Sequence, residues 1–345
     1  MSQTFSGALE KIINKTNLNA DEALWLMNET MSGNLTPAQI AAWLVAMRVK
    51  GETSLEISTF ALVMREKAVS LTSLSLPEPL LDTCGTGGDK SNLVNISTLS
   101  AIVLASREIR VAKHGNRSVS SSSGSADFLE RAGYPLNATP ESIVNRIKNK
   151  NFGFFFAPSF HPAMKFAGPV RKEIGIRTVF NVLGPLSNPA HAKIHMMGVF
   201  SHDYIKIMAE ALEQLGTKTF LVVHSSDGLD EISPKAKTNY CLYHSGSFKY
   251  DTIDPVNFKF KINELSELTV KNGDEAYELG LKILSGSHES GAEMVAINAA
   301  AGEYLWELHL NKTSEDLQTY LIHKTQEIKK MILGGHCKPE KVLHE

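Results

Sequence analysis

The sequence has few cysteines. Its 345 residues include Cys84, Cys241 and Cys337, which lie far apart and show no CxxC spacing. An odd number of cysteines without metal-ligand spacing argues against a disulfide framework and against a cysteine zinc site. We therefore expect reduced thiols.

Long hydrophobic runs and an excess of charge of one sign are also missing. No stretch reaches about 18 consecutive apolar residues, and residues 1–10 lack the regions of a secretion signal. The formal net charge of −2 gives no strong field that would attract nucleic acid or an anionic membrane. These absences predict a cytoplasmic protein without nucleic-acid or membrane partners, in which any anion site is local.

The first part of the chain has a helical pattern. The hydrophobic content of 43% is that of a globular protein, and the length favours two domains. Thr36 and Pro37 form an N-cap and N1 pair, and Thr53 with Glu56 fits a capping box. We expect a helical domain over residues 1–75, followed by a Leu- and Ser-rich linker.

From Leu80 onwards, strand and helix patterns alternate, which indicates α/β architecture over residues 76–345. The strand candidates are residues 80–83, 109–112, 154–157, 195–200, 219–224 and 239–244. The main helix candidates are residues 97–106, 203–215, 274–284, 290–308 and 315–333.

A glycine-rich segment, DTCGTGGD at residues 82–89, leaves a predicted strand and precedes a helix. Glycines at such a turn let backbone amides face a bound anion without interference from Cβ atoms. The third glycine of a dinucleotide fingerprint would fall at Lys90, and Asp89 occupies the place of the glycine in a P-loop. The segment therefore favours another kind of phosphate cradle, or a turn that serves packing alone.

Two polar clusters follow. Residues 95–98, NIST, are typical of a helix cap and also of phosphate or metal-water ligands. Residues 113–118, KHGNRS, precede the serines of 120–125, where Lys113 and Arg117 supply charge for a pyrophosphate and Gly115 permits close approach. This composition favours an anion site over a solvated basic turn.

Two charged features are further candidates for a functional site. Asp227, Asp230 and Glu231 gather on a turn after an apolar strand, where hard oxygen ligands suit magnesium, although an acidic turn is often a solvated loop. Arg171 is a candidate to clamp a substrate carboxylate, the alternative being a surface arginine. Neither HExxH nor GxSxG occurs, so hydrolase interpretations lack support.

In order and spacing, these motifs resemble the anthranilate phosphoribosyltransferase family, and FNVLGPLSNP at residues 180–189 extends the resemblance along nearly the whole chain. The resemblance implies a small N-terminal helical domain, joined by a later helical segment near 165–190, and a larger α/β domain with a mixed central sheet. That architecture is the nucleoside phosphorylase or class III phosphoribosyltransferase type. It also implies a homodimer formed through the helical part.

The implied activity is magnesium-dependent transfer of a phosphoribosyl group from phosphoribosyl pyrophosphate to anthranilate, in tryptophan biosynthesis. The implied catalytic residues are Lys113, Asn116 and Arg171, and the implied Mg²⁺ ligands are Ser97, Asp230 and Glu231. Substrate contacts map onto Gly85, Gly88, Asp89, Asn95, Ser97, Thr98, Lys113, His114, Gly115, Asn116, Arg117, Ser118, Val119, Ser120, Ser121, Ser125 and Arg171. The family commonly has Gly where this chain has Lys90, and Thr where it has Leu93.

Two other functions compete with this one. A pyrimidine nucleoside phosphorylase shares the architecture but attacks with inorganic phosphate and does not need the acidic pair. A noncatalytic nucleic-acid-binding relative would be expected to carry a basic surface, which the composition does not favour. Association with a glutamine amidotransferase stays open.

Overall fold

A computed structural model describes residues 3–88, 91–117, 123–262 and 264–344. The chain begins with a helical layer made of α1 (Phe5–Ile13), α2 (Ala20–Ser32), α3 (Pro37–Lys50) and α4 (Ser54–Glu66). As predicted, Thr36 and Thr53 cap α3 and α4, each in a capping box that satisfies otherwise unpaired amides of the first turn.

A single mixed sheet forms the centre of the remainder. Its strands are β1 (Leu81–Asp82), β2 (Val111–Gly115), β3 (Phe152–Phe156), β4 (Ile194–Gly198), β5 (Thr219–Ser225), β6 (Thr238–His244) and β7 (Ser247–Ile253). Their order across the sheet is β3-β2-β1-β4-β5-β6-β7, and the strands are parallel from β3 to β5 and antiparallel from β5 to β7. The predicted mixed α/β fold is confirmed.

Helices cover both faces of this sheet. They are α5 (Ile96–Ser106), α6 (Ser125–Arg131), α7 (Pro140–Lys150), α8 (Ala157–Phe160), α9 (Met164–Ile174), α10 (Phe180–Leu183), α11 (Asp203–Gln214), α12 (Gly273–Leu284), α13 (Glu289–His309), α14 (Leu317–Leu333) and α15 (Pro339–Leu343). One core joins the sheet to α5, α12, α13 and α14. A second joins its other face to α9, α10, α11 and the helical layer. Because both faces are covered, β3 is apolar and buried along its whole length.

The topology gathers the predicted motifs at one edge of the sheet. Parallel strands β1, β2, β4 and β5 all end there, and the strand order reverses at β1, between β2 and β4. Ligands of open α/β sheets bind outside the carboxyl ends of the strands at such a switch point. The glycine-rich segment follows β1, the basic cluster ends β2, and the acidic turn follows β5.

Some sequence predictions differ from the structure. Strand β7 was not predicted, because its residues are mostly exposed and carry Lys249 and Asp251, as expected of an edge strand that resists further pairing. Strand β1 is shorter than the predicted 80–83. In the described part of the chain, no helix has both the length and the hydrophobicity that a bilayer crossing requires. The boundary of the helical domain at residue 75 stays a prediction.

Candidate active site

A cavity of about 690 Å³ lies at this edge of the sheet. One side is the glycine turn, residues 83–88, and another is the acidic turn, residues 226–231, which contributes Asp230 and Glu231. Helices α9 and α10 provide a further wall that includes Arg171 and Phe180. Segments that are far apart in the sequence therefore share one cleft.

The glycine turn and the acidic turn contact each other directly. The Gly87 amide donates a hydrogen bond to Asp230 Oδ2 at 2.8 Å, and the Thr86 amide donates to the Gly198 carbonyl at 2.9 Å. A Cβ atom on Gly85 would lie 3.0 Å from the Gly198 carbonyl and 3.2 Å from Asp230 Oδ2, so this glycine permits the close approach. The turn therefore packs tightly and also presents its amides beside a carboxylate.

The base of the glycine turn is held by Asp82, which sequence reasoning did not assign to the site. Its buried carboxylate accepts hydrogen bonds from the Cys84 amide at 3.0 Å and the His114 amide at 3.3 Å. Its other oxygen accepts from Asn188 Nδ2 at 2.7 Å. A buried carboxylate at the end of a strand that precedes a glycine turn is the signal that could have identified Asp82.

Lys113 places a buried cation between the glycine turn and α5. Its Nζ donates to Thr83 Oγ1 at 3.1 Å, to the Thr83 carbonyl at 3.3 Å and to Ser97 Oγ at 3.4 Å. Burial lowers the pKa of this ammonium, while the carboxylates of Asp82, Glu231 and Asp230 act in the opposite direction. The arrangement favours charge on Lys113 when a further anion enters the cavity.

The start of α5 departs from the expected capping. Asn95 occupies the N-cap, but its side chain makes no cap hydrogen bond; Nδ2 donates to the Ser123 carbonyl at 2.9 Å, and Oδ1 accepts from Ser123 Oγ at 3.2 Å. Asn95 therefore joins α5 to the end of the serine segment. Ser97 and Ser125 also line the cavity. Thr98, by contrast, is fully buried and is not part of the cavity lining in the described structure.

At the end of β2, the predicted residues split into two groups. His114, Gly115 and Asn116 line the cavity, with Asn116 exposed. Arg117 also lines it, but its guanidinium forms ion pairs with Asp127 and Glu130 of α6, at 3.0 and 2.7 Å. The positive charge of Arg117 is therefore partly balanced by these carboxylates. The prediction that Arg117 supplies charge for a pyrophosphate did not include these ion pairs.

Two histidines under the cavity are neutral at pH 7. His114 Nδ1 lies 2.9 Å from the Gly184 carbonyl, and His114 Nε2 lies 3.2 Å from His161 Nε2. Burial lowers the pKa of His114 to about 3 and that of His161 to about 4. Hydrogen bonding without charge suits residues that orient their neighbours.

Arg171 lies on α9, half-buried in the cavity wall, with its guanidinium 5.2 Å from the centre of the Phe180 ring. Among the residues that the structure describes, no carboxylate forms an ion pair with it. Burial lowers the pKa of this guanidinium. An arginine held over an aromatic ring without a counter-ion is suited to a carboxylate ligand.

The carboxylates of Asp230 and Glu231 fit a magnesium ion that is shared with substrate phosphates. The described residues contain no cluster of three or more His, Cys, Asp or Glu side chains that could hold a metal alone. Mg²⁺ usually takes one or two carboxylates and completes its coordination with phosphate and water. The donor set therefore suits a magnesium diphosphate better than a permanently bound ion.

Five predicted contacts cannot be placed. Asp89, Ser118, Val119, Ser120 and Ser121 lie outside the described residues, as does Lys90. Leu93 is described: it lines the cavity and its backbone bridges to Thr269. Arg177, which also lines the cavity, was missed because it stands apart from every motif.

Two family models match this chain. The model of the glycosyl transferase family, helical bundle domain, matches residues 6–68, and the model of the glycosyl transferase family, a/b domain, matches residues 77–322. An anthranilate phosphoribosyltransferase of Hydrogenovibrio crunogenus is 46% identical over 298 residues, which cover 86% of this chain and 87% of that protein.

Two solved structures extend the comparison. The anthranilate phosphoribosyltransferase of Thermus thermophilus is 39% identical with a TM-score of 0.84, and the match covers 96% of this chain and 95% of that one. The Saccharomyces cerevisiae enzyme in complex with PRPP and Mg has the same fold at 24% identity and a TM-score of 0.81, covering 98% and 96%. The chain belongs to the anthranilate phosphoribosyltransferase family.

Proposed function

We propose that this chain transfers the phosphoribosyl group of phosphoribosyl pyrophosphate to the amino nitrogen of anthranilate. The products are N-(5-phosphoribosyl)anthranilate and pyrophosphate, and the step belongs to tryptophan biosynthesis. The observation that carries the proposal is the contact of Gly87 with Asp230, at 2.8 Å, in a cavity that Lys113 and Arg171 also line. The identity of the substrates follows from the relatives, which are named anthranilate phosphoribosyltransferases.

At the donor end, the glycine turn and the Lys113 ammonium bind the diphosphate. The negative charge on the departing pyrophosphate grows as the bond to the sugar breaks, so a cation already fixed by Thr83 and Ser97 stabilises the transition state more than the ground state. Asp230, Glu231 and Ser97 would hold magnesium, which supplies further charge neutralisation for the leaving diphosphate when bound.

At the acceptor end, Arg171 binds the anthranilate carboxylate and Asn116 orients the amine toward the anomeric carbon. Positioning is enough to promote attack because an aromatic amine is already neutral and its lone pair needs no general base. The C–N bond forms as the C–O bond to pyrophosphate breaks, and the nitrogen then releases its proton to solvent. This agrees with the neutral His114 and His161, whose pKa values of about 3 and 4 leave them uncharged. The attacked carbon carries oxocarbenium character in the transition state.

An activity assay tests the proposal directly. The purified chain is given anthranilate with phosphoribosyl pyrophosphate and magnesium, and in parallel thymidine with inorganic phosphate. We expect consumption of anthranilate and release of pyrophosphate in the first reaction and no thymine in the second. Turnover of thymidine with no turnover of anthranilate would instead establish the phosphorylase.

The same family relationship supports a homodimer formed through the helical layer, with the domain boundary near residue 75. Exposed apolar side chains lie on three of its helices, including Ile13 on α1, Val49 on α3 and Leu62 on α4, at 58%, 70% and 44% exposure. Sedimentation of the chain and of Val49→Glu tests this: we expect a dimer that the charge weakens. A monomeric wild-type chain would contradict it.

A further inference from the structure

Arg177 connects the two ends of the cavity. It lies between α9 and α10, and its Nη2 donates a hydrogen bond to the Gly87 carbonyl at 2.6 Å. The acceptor-binding Arg171 is carried by α9 of the same segment. One short stretch of chain therefore reaches both the proposed carboxylate site and the glycine turn.

The guanidinium of Arg177 is held against an aromatic ring. It lies over the ring of Phe200, 4.0 Å from the ring centre. The Phe200 ring lies 4.6 Å from that of Tyr204, whose hydroxyl donates to Glu52 Oε2 at 2.8 Å. A planar cation held on an aromatic face has little freedom to lose when it binds a carbonyl.

Phe200 also supports the glycine turn directly, because its backbone amide donates to Thr86 Oγ1 at 3.1 Å. The segment after β4 therefore holds Thr86 and supplies the platform for Arg177, which holds Gly87. Thr86 and Gly87 are therefore both held by Phe200, the first through its backbone amide and the second through Arg177, which lies over its ring.

The conformation of the glycine turn is matched to this guanidinium. Gly88 has φ of +79°, which disfavours any side chain, and a Cβ atom there would lie 1.9 Å from Arg177 Nη2. Arg177 thus occupies the space beside Gly88. Both polar backbone groups of Gly87 are hydrogen-bonded: its N–H donates to Asp230, and its carbonyl accepts from Arg177.

We propose that Arg177 is a positioning residue that holds the glycine turn in the form that binds phosphoribosyl pyrophosphate and couples this turn to the acceptor-binding helix α9. The inference rests on the proposed function and deepens it. Its consequence is that donor affinity depends on a side chain from the acceptor segment.

The test compares Arg177→Gln and Arg177→Lys with the control Lys172→Gln, which removes the same charge from an exposed position of α9. Calorimetry with phosphoribosyl pyrophosphate and magnesium gives the donor Kd, and steady-state kinetics give kcat and both KM values. Loss of one charge-assisted hydrogen bond should raise the donor Kd of Arg177→Gln about tenfold. Lysine should recover part of this loss, because it keeps the charge without the planar stacking.

We expect the anthranilate KM at saturating donor, and Tm without ligands, to change little in Arg177→Gln, and Lys172→Gln to match the wild type throughout. Phe200→Leu, which removes the platform, should raise the donor Kd in the same direction by a smaller factor. It therefore keeps the proposal testable if Arg177→Gln does not fold.

The inference is overturned if the wild-type chain binds donor and turns over anthranilate while both Arg177 variants and Phe200→Leu keep its donor Kd. It is also overturned if both KM values rise together with a fall in Tm, because that is the result of a merely structural contact. A wild-type chain that neither binds the donor nor turns over anthranilate would contradict the proposed function instead.

Discussion

The donor end and the acceptor end of the cavity are built differently. At the donor end, the glycine turn is already held by hydrogen bonds from Gly87 to Asp230 and from Thr86 to the Gly198 carbonyl. At the acceptor end, Arg171 lies over Phe180 with no ion-pair partner in the described part of the chain. In the proposed function, donor binding is thus spread over many preformed contacts, whereas acceptor binding depends on one charged side chain.

Removal of both carboxylates from the acidic turn tests the donor end most severely. In Asp230→Asn/Glu231→Gln we expect kcat to fall about a hundredfold or more, because charge on the leaving diphosphate is no longer balanced. Steady-state kinetics across a magnesium titration measure both the loss and its metal dependence. Each replacement keeps the shape of its side chain, so the fold is retained.

The matched control is Asp203→Asn/Glu213→Gln, which makes the same chemical changes at exposed positions of α11. It should retain the wild-type kcat and magnesium dependence. If the Asp230→Asn/Glu231→Gln variant kept normal rates, the assignment of metal-binding carboxylates would be wrong.

A smaller change at Gly198 tests whether close packing sets the donor end. A Cβ atom there would lie 1.5 Å from the Asp230 carbonyl oxygen, so Gly198→Ala must displace the backbone of the acidic turn. We expect a loss of kcat/KM for the donor of about tenfold or more, since a displacement of about 1 Å can cost about a hundredfold in a positioned site. Kinetics with varied donor provide the measurement, and circular dichroism checks that the fold persists. An unchanged donor kcat/KM would show that donor binding does not need the close packing of β4 against the acidic turn.

Substitution of Arg171 tests the other side of the comparison. Arg171→Gln should raise the anthranilate KM about tenfold, because a charge-assisted pair with the carboxylate is lost, while the donor Kd stays nearly constant. Arg171→Lys should recover part of the affinity but not the bidentate geometry. Lys172→Gln again serves as the control on α9. Equal effects on donor and acceptor binding would contradict the separation into two ends.

His114 belongs to neither end and gives the smallest effect, which is on stability. Its pKa of about 3 in the folded state lies below the ordinary value of 6.5, so between these values the unfolded chain binds more protons. The free energy of unfolding should therefore fall as the pH drops below about 6.5, by about 1 kcal/mol at pH 5.5 for this residue.

Urea unfolding between pH 7.5 and 5 measures this slope. His114→Asn, which cannot protonate in this range, should show a flatter decline, while the exposed His202→Asn should follow the wild type. If His114→Asn leaves the pH dependence of the unfolding free energy unchanged, protonation of the His114 imidazole is not its cause.

Much of the fold followed from local patterns. The N-cap and N1 pair at Thr36 and Pro37, the capping box at Thr53 and the apolar strands of the parallel sheet are signals within a few residues, and the structure contains them. Strand β7 lacks such a signal, since an exposed edge strand needs no alternation of polar and apolar residues.

The candidate site was predictable where its functional residues are adjacent in the sequence, as in the glycine and acidic turns. Asp82 and Arg177 were not predicted, because their importance comes from partners far away in the sequence, Asn188 and Gly87. The ion pairs of Arg117 with Asp127 and Glu130 were missed for a related reason, because they depend on where α6 packs. Such contacts are set by the tertiary structure.

In the proposed function, the glycine turn and the acidic turn together form one site for a magnesium diphosphate. Calorimetric titration of the purified chain with phosphoribosyl pyrophosphate, with and without magnesium, tests it most directly. We predict saturable binding of one donor per chain that is tighter with magnesium, and loss of this magnesium effect in Asp230→Asn/Glu231→Gln. Donor binding that is indifferent to magnesium, or to the loss of both carboxylates, would contradict the claim.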